Sequence, residues 1–178
     1  MDPSRRKFVA KALGWPVAAA ALTEHAVAAH DAPAEESEPV RTFQMAPIGE
    51  VVIDDERTAI RVDDAYVDGL LGLEQWSHVQ VFYWFDRNDV PERRRILQVH
   101  PRGNPDNPLT GVFACRAPVR PNLIALTLCR LLEVRANLVI VEAIDAFTGT
   151  PVLDLKPFIP PDAAVQDLKV PEWARRRS

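Results

Sequence analysis

Residues 42–160 sustain no helical period, and this restricts the folds open to the chain more than any other feature. In its place come short apolar or β-branched runs cut by turn residues: 47–54 and 57–62 around the acidic turn Asp54-Asp55-Glu56, then 77–85, 92–100, 110–116, 123–134, 137–145 and 151–155. Residues 77–85 are the most strand-like, with Val79, Val81, Tyr83 and Phe85 on one face and Gln80, Phe82 and Trp84 on the other. Apolar character on both faces predicts a central strand. Residues 65–71 predict one or two helical turns ended by Gly72. Residues 123–134 (LIALTLCRLLEV) suit helix as well as strand, because Leu and Ala favour helix. Many short strands at near-regular spacing predict an all-β antiparallel barrel or sandwich, and closure of a barrel removes the exposed edges.

A chain of 178 residues that is 47% hydrophobic buries one core, so one domain is expected, over residues 43–161. Residues 1–29 read as an export signal of the twin-arginine type: Arg5-Arg6 and Phe8 precede a weak apolar run and the small residues Ala26-Val27-Ala28. Cleavage is expected near Ala28 or Ala29, with twin-arginine export machinery as the partner and the periplasm or cell exterior as the destination. The other reading is an alanine-rich helix retained by the protein, and a start at Met45 would give a cytoplasmic domain with no signal. The apolar run is shorter than the ~20 residues of a membrane span and holds Gly14 and Pro16, so no stable span is expected. Residues 30–42 form an acidic, proline-containing linker, and 162–178 a tail with a helix near 162–168 and Arg175-Arg176-Arg177 at its end. The whole chain carries 21 Lys and Arg against 25 Asp and Glu; cutting after Ala28 leaves a net charge of −6. That balance argues against tight binding of nucleic acid by overall charge and leaves the work to local basic patches.

The chemistry is concentrated between residues 99 and 160. VHPRGNP (99–105), GVFACRAPVRPN (111–122) and DAFTGTPVLDLKPFIP (145–160) set Arg116, Arg120 and Asn122 among stiff turns, then return to Asp145, Asp154 and Lys156. Two guanidinium forks on either side of Pro118 match a carboxylate or phosphate; alternatively they pair with Asp145 or Asp154 to hold the loop. His78 and His100 lack further histidines at ligand spacing, which favours hydrogen-bonded residues near a pocket rim over a metal site. Cys115 and Cys129 are too few for a disulfide framework. If 110–116 and 123–134 form a hairpin, the two lie too far apart to bond.

These three blocks, in this order, resemble the TsaA-like or TrmO family, whose signature is close to HPRG, GVFATRSPxRPNPIG and DxxDGTPVLDIKPY. The resemblance spans about residues 46–160. It implies a small β-barrel that uses S-adenosylmethionine to methylate the threonylcarbamoyl-modified adenosine beside the tRNA anticodon, and a homodimer that assembles its pocket across a two-fold. It further implies that Arg116, Leu126, Asp86 and Asp145 surround the donor, and that Arg120, Asn122 and Lys156 reach the acceptor. In-line methyl transfer depends mainly on alignment, and a carboxylate near the acceptor nitrogen removes the proton released, a role that falls to Asp145. Asp154 and Lys156 are better suited to a structural pair at a strand end. Trp76, Phe82 and Trp84 supply apolar surface for the dimer.

The chain departs from the family pattern at several places. The long early loop that wraps the cofactor is replaced by a direct turn at 54–57, Asp86 stands for a histidine, Cys115 and Ala117 alter FATRS, and Leu123 and Ala125 alter RPNPIG. Thr148 replaces the second acid of the third block. The expectation is a donor site with its nucleoside end loosely covered. The alternative function is an exported, non-catalytic protein of this fold that binds a small anionic ligand.

Overall fold

The computed structural model describes residues 41–160 and 169–175. The readings made for the signal, most of the linker and the helix near 162–168 lie outside the described residues. Among the described residues there are eight strands: β1 (Gly49–Ile53), β2 (Thr58–Val62), β3 (His78–Trp84), β4 (Gln98–Val99), β5 (Thr110–Gly111), β6 (Ile124–Arg135), β7 (Leu138–Val141) and β8 (Pro151–Pro157). Six of them close into a barrel in the order β1-β2-β7-β6-β3-β8, every neighbouring pair antiparallel, and β4 and β5 form a separate two-stranded ladder. The antiparallel barrel expected from the sequence is the fold.

β3 is central, hydrogen-bonded to β6 along one edge and β8 along the other. Val79, Val81 and Tyr83 point into the core, where Val51, Ile60, Cys129, Val139 and Val152 meet them. A core made largely of β-branched residues suits the pleated surface better than any helix would. This context resolves residues 123–134 as strand: alternate positions Ala125, Cys129 and Leu131 are buried while their neighbours face out. Gly49 is required where β1 crosses β2, because a Cβ there would run into the Arg61 carbonyl. The β1–β2 hairpin turns where expected, and Asp54 closes it by accepting the amides of Glu56 at 3.0 Å and Arg57 at 2.9 Å. Residues 64–70 form a 3-10 helix, and Gly72 follows in the left-handed region at φ 85°.

Two expected strands are largely absent. Within 92–100 the chain first makes the helical turn α1 (Pro91–Arg94) and pairs only at Gln98–Val99. Pro91 at the helix start followed by Glu92 and two arginines favours the turn over extension. Within 110–116, pairing stops after Gly111 and residues 112–114 coil into a 3-10 turn. The hairpin of this segment with β6 therefore does not form, since β6 gives both edges to β3 and β7. Both cysteines are nonetheless free thiols.

Candidate functional site

The end of β3 and two loops define a cleft of about 320 Å³, lined by Tyr83 to Asn88, Arg116, Pro118 and residues 144–147 with Thr150. A bulge in the β3–β8 pairing between Phe82 and Tyr83 lies at its base. Bulges re-aim side chains beside sites, and here Tyr83 turns inward, buried to 3% exposure. Its hydroxyl donates to the Asp145 carbonyl at 2.6 Å and meets the Thr127 hydroxyl at 3.1 Å. Burial holds the Tyr83 phenol above its usual range, the Thr127 bond opposes this, and the Asp145 carboxylate adds to it. Tyr83 therefore anchors the backbone that presents Asp145. The alternation of residues 77–85 marked Tyr83 as a core residue, and nothing in the sequence signalled the bond.

Four charges border the cleft. Asp86 and Asp145 supply carboxylates, Arg116 and Arg87 guanidiniums, and Arg87 lies 3.7 Å over the Phe147 ring, joining the 86–88 turn to the 145–149 turn across the opening. None of the ion pairs between described residues involves Arg116, Arg120 or Asp145, so the arginines do not hold the loop by pairing with acids. Arg116 presents an exposed cation to the cleft.

The other expected site residues divide sharply. Arg120 is a clamp: it donates to the carbonyls of Ala117 at 3.0 Å, Val112 at 2.9 Å and Cys115 at 3.0 Å. Its Nε and Nη2 bond the loop that carries Arg116, and it does not line the cleft. Asn122 is exposed on the turn into β6 and lies outside the cleft lining. Lys156 pairs with Asp154 at 2.9 Å on the barrel exterior, the structural alternative, and is not brought to the cleft. Leu126 also faces outward, in a row with Ile124, Leu128 and Leu132 on β6, all at least 37% exposed. Phe82 and Trp84, named above as dimer surface, are each half-buried, with Lys156 and Arg94 beside their rings. Trp76, the third of these, is 39% exposed, and a further open apolar row lies on β6.

A second network braces the RPN turn. Arg94 on α1 donates to Asp89 at 2.7 Å and to the Pro121 carbonyl at 2.8 Å, while Trp84 donates to Asp89 at 3.2 Å. The Arg94 bond pulls the Asp89 carboxyl below its usual range. His100 donates from Nδ1 to the Asn107 carbonyl, 2.7 Å away, as a hydrogen-bonded rim residue should. Among the described residues no group of three His, Cys, Asp or Glu is placed to hold a metal, and no helix is long and apolar enough to cross a membrane.

Residues 37–162 match the family model of the tRNA-methyltransferase O N-terminal domain. The chain belongs to this TrmO family. Among its relatives, a probable S-adenosyl-L-methionine-binding protein of Methanocaldococcus jannaschii is 40% identical over 116 residues, covering 65% of this chain and 92% of that protein. The tRNA (adenine(37)-N6)-methyltransferase of Homo sapiens is 44% identical over 90 residues, covering 51% of this chain but 20% of that longer protein. The crystal structure of TrmO from Pseudomonas aeruginosa superposes with a TM-score of 0.58 at 29% identity, covering 76% of this chain and 63% of that one. This chain thus carries the barrel of TrmO within a smaller frame than the solved and mammalian proteins.

S-adenosylmethionine fits the cleft in charge. Its amino-acid end is zwitterionic and its sulfonium cationic, and the cleft lining holds both signs, Arg87 and Arg116 with Asp86 and Asp145. In size the cleft stands at the small end of the roughly 300–1,000 Å³ usual for ligand sites.

Proposed function

We propose that this protein is an S-adenosylmethionine-dependent methyltransferase acting on the N6 nitrogen of adenine 37 in tRNA, the threonylcarbamoyl-modified base being the acceptor. The observation that carries the reading is the cleft whose lining brings the guanidiniums of Arg116 and Arg87 together with the carboxylates of Asp86 and Asp145 inside a TrmO barrel. When bound, S-adenosylmethionine supplies a methyl group on a sulfonium leaving group. Arg116 holds the carboxylate of the donor, and Asp86 holds its ammonium group. Asp145, fixed through its own carbonyl by Tyr83, takes the proton that the acceptor nitrogen loses as it gains the methyl. Alignment does most of the work in such a displacement, so the rigidity of the Arg116 loop matters more than the number of reacting groups. Arg120 therefore contributes as a positioning residue, and Asn122, exposed at the loop's end, remains available to the acceptor.

The working unit on this reading is a two-fold dimer in which the β6 rows of Ile124, Leu126, Leu128 and Leu132 cover one another. Exposed apolar side chains support it, because four large aliphatic residues on one strand face, interrupted only by Arg130, exceed the scattered exposure normal for a monomer.

Calorimetry with S-adenosylmethionine tests the donor site. Arg116→Ala is expected to weaken donor binding by about 1.5–3 kcal/mol, the worth of a charge-assisted contact, and wild-type affinity should fall below that of a relative with the full early loop. Tight donor binding that is indifferent to Arg116→Ala rejects the pocket. No donor binding at millimolar concentration, with retained binding of a small anion, returns the function to the non-methylating alternative.

A further inference from the structure

Arg116 and Pro118 border more than the donor cleft. On their other side lies a second cleft of about 1,000 Å³, walled by the HPRG loop and by residues 114–119, and closed at its far side by Trp173 and Ala174. The two clefts share Arg116 and Pro118. Among the described residues, the lining of the second holds His100, Arg102 and Arg116 and no carboxylate, in a chain where acids outnumber bases. Arg102 is held with φ at 59°, a conformation that costs a non-glycine residue energy and is found where a side chain must be aimed. Past Arg102 and Trp173 the surface opens into a third cleft where Arg175 stands with Asp106 and Glu172, so the purely basic character is confined to the stretch beside the donor.

Trp173 belongs to the 3-10 turn Glu172–Ala174, beyond residues 37–162 that match the family model. Its segment joins no strand, and its backbone bonds are local, from Ala174 to Pro171 and from Arg175 to Glu172. The side chain is half-buried and keeps a face toward the cleft. An indole beside two guanidiniums, without an acid, is the surface on which an RNA base stacks while its phosphates are held. The occupant must also lie against the donor, since the clefts meet at Arg116.

We infer that Trp173 is the stacking platform for a nucleotide of the RNA acceptor, with Arg102 as its phosphate contact. This rests on the methyltransferase reading for its choice of ligand. Trp173 is then a binding residue that this chain supplies from outside the shared barrel, and it gives an acidic protein a local grip on RNA.

The test uses the full chain, a fluorescently labelled RNA hairpin with an unpaired adenosine in its loop, and calorimetry with S-adenosylmethionine in parallel. Wild-type tryptophan emission should be quenched by the hairpin, because stacking places a base on the indole. Trp173→Phe should bind within a few-fold of wild type but lose most of the quenching, and Trp173→Ala should bind roughly 5- to 150-fold more weakly. Donor affinity should be the same in all three proteins, which also shows that each is folded. Hairpin binding unchanged in Trp173→Ala, quenching unchanged in Trp173→Phe, or no hairpin binding by the wild type each overturns the inference. If donor binds and methylation proceeds while the Trp173 variants bind RNA normally, this inference falls alone. If the quenching and the Trp173→Ala loss are seen but donor does not bind, the platform stands and the methyltransferase reading falls.

Discussion

At Leu123 the backbone has φ 53° while the side chain is fully buried, an unusual pairing for a branched residue. The residue links the RPN turn to β6, and its carbonyl accepts the Phe85 amide at 2.9 Å, tying the turn to the end of β3. The related motif RPNPIG carries proline here, and proline cannot reach a positive φ. Leu123→Pro is therefore expected to destabilise this protein by more than ~3 kcal/mol in urea unfolding, although it restores the family's pattern; an unchanged midpoint would show that the turn has another backbone. Thr148 has a comparable explanation. Its hydroxyl accepts the Ile53 amide and donates to the Ile53 carbonyl, both at 2.9 Å, stapling the third block to the end of β1. An ionised acid at this position has no proton to donate, so threonine suits the shortened hairpin. Cys129 makes a prediction about pH. Burial raises its thiol from 9.0 to about 11, so the folded state keeps a proton that the unfolded chain releases. That contribution is complete below pH 9 and is lost as pH rises through 11. The urea midpoint should fall over this window in the wild type and fall less in Cys129→Ala; parallel curves for the two proteins refute the assignment.

Among the elements, β6 matters most. Its inward residues fill the barrel and its outward leucines stay open, so one strand builds the core and offers a surface. Leu128→Lys places a charge in the middle of the outward row without touching the core. Light scattering on residues 40–178 at micromolar concentration should give a dimer mass for the wild type and a monomer mass for Leu128→Lys. A wild-type monomer rejects the dimer outright. At this scale the sequence was legible wherever alternation was clean, as in residues 77–85, and ambiguous where leucines ran together, as in 123–134. It misled in 92–100 and 110–116, because apolar content there serves short turns that brace the RPN loop rather than a barrel edge. Arg94 illustrates the difficulty: its partners Asp89 and Pro121 are 5 and 27 residues away, and no local pattern foretells the second.

For the whole molecule, the barrel holds three separated motif blocks around two clefts that meet at Arg116 and Pro118, and the second of these is basic in a chain that is acidic overall. Location is a separate question from fold. The twin-arginine reading of residues 1–29 predicts that a fusion of residues 1–40 to a reporter is exported, that the mature chain begins near Ala28 or Ala29, and that changing both Arg5 and Arg6 to Lys retains the reporter inside the cell. A reporter that stays inside from the outset, or a native chain that begins at Met45, would place the protein with its tRNA in the cytoplasm. The order of polar blocks and the alternation of apolar residues were determined by the sequence alone, because both are local properties that neighbouring residues either have or lack. Family and barrel could be read from them, and the structure brings Arg116 and Asp145 to one cleft. Only the tertiary structure decided that Arg120 serves the loop, that Lys156 serves Asp154, that Tyr83 supports Asp145, and that Trp173 closes a second cleft. Each of these depends on which side chains meet across the closed barrel and its loops, and that is set by packing between segments far apart in the chain.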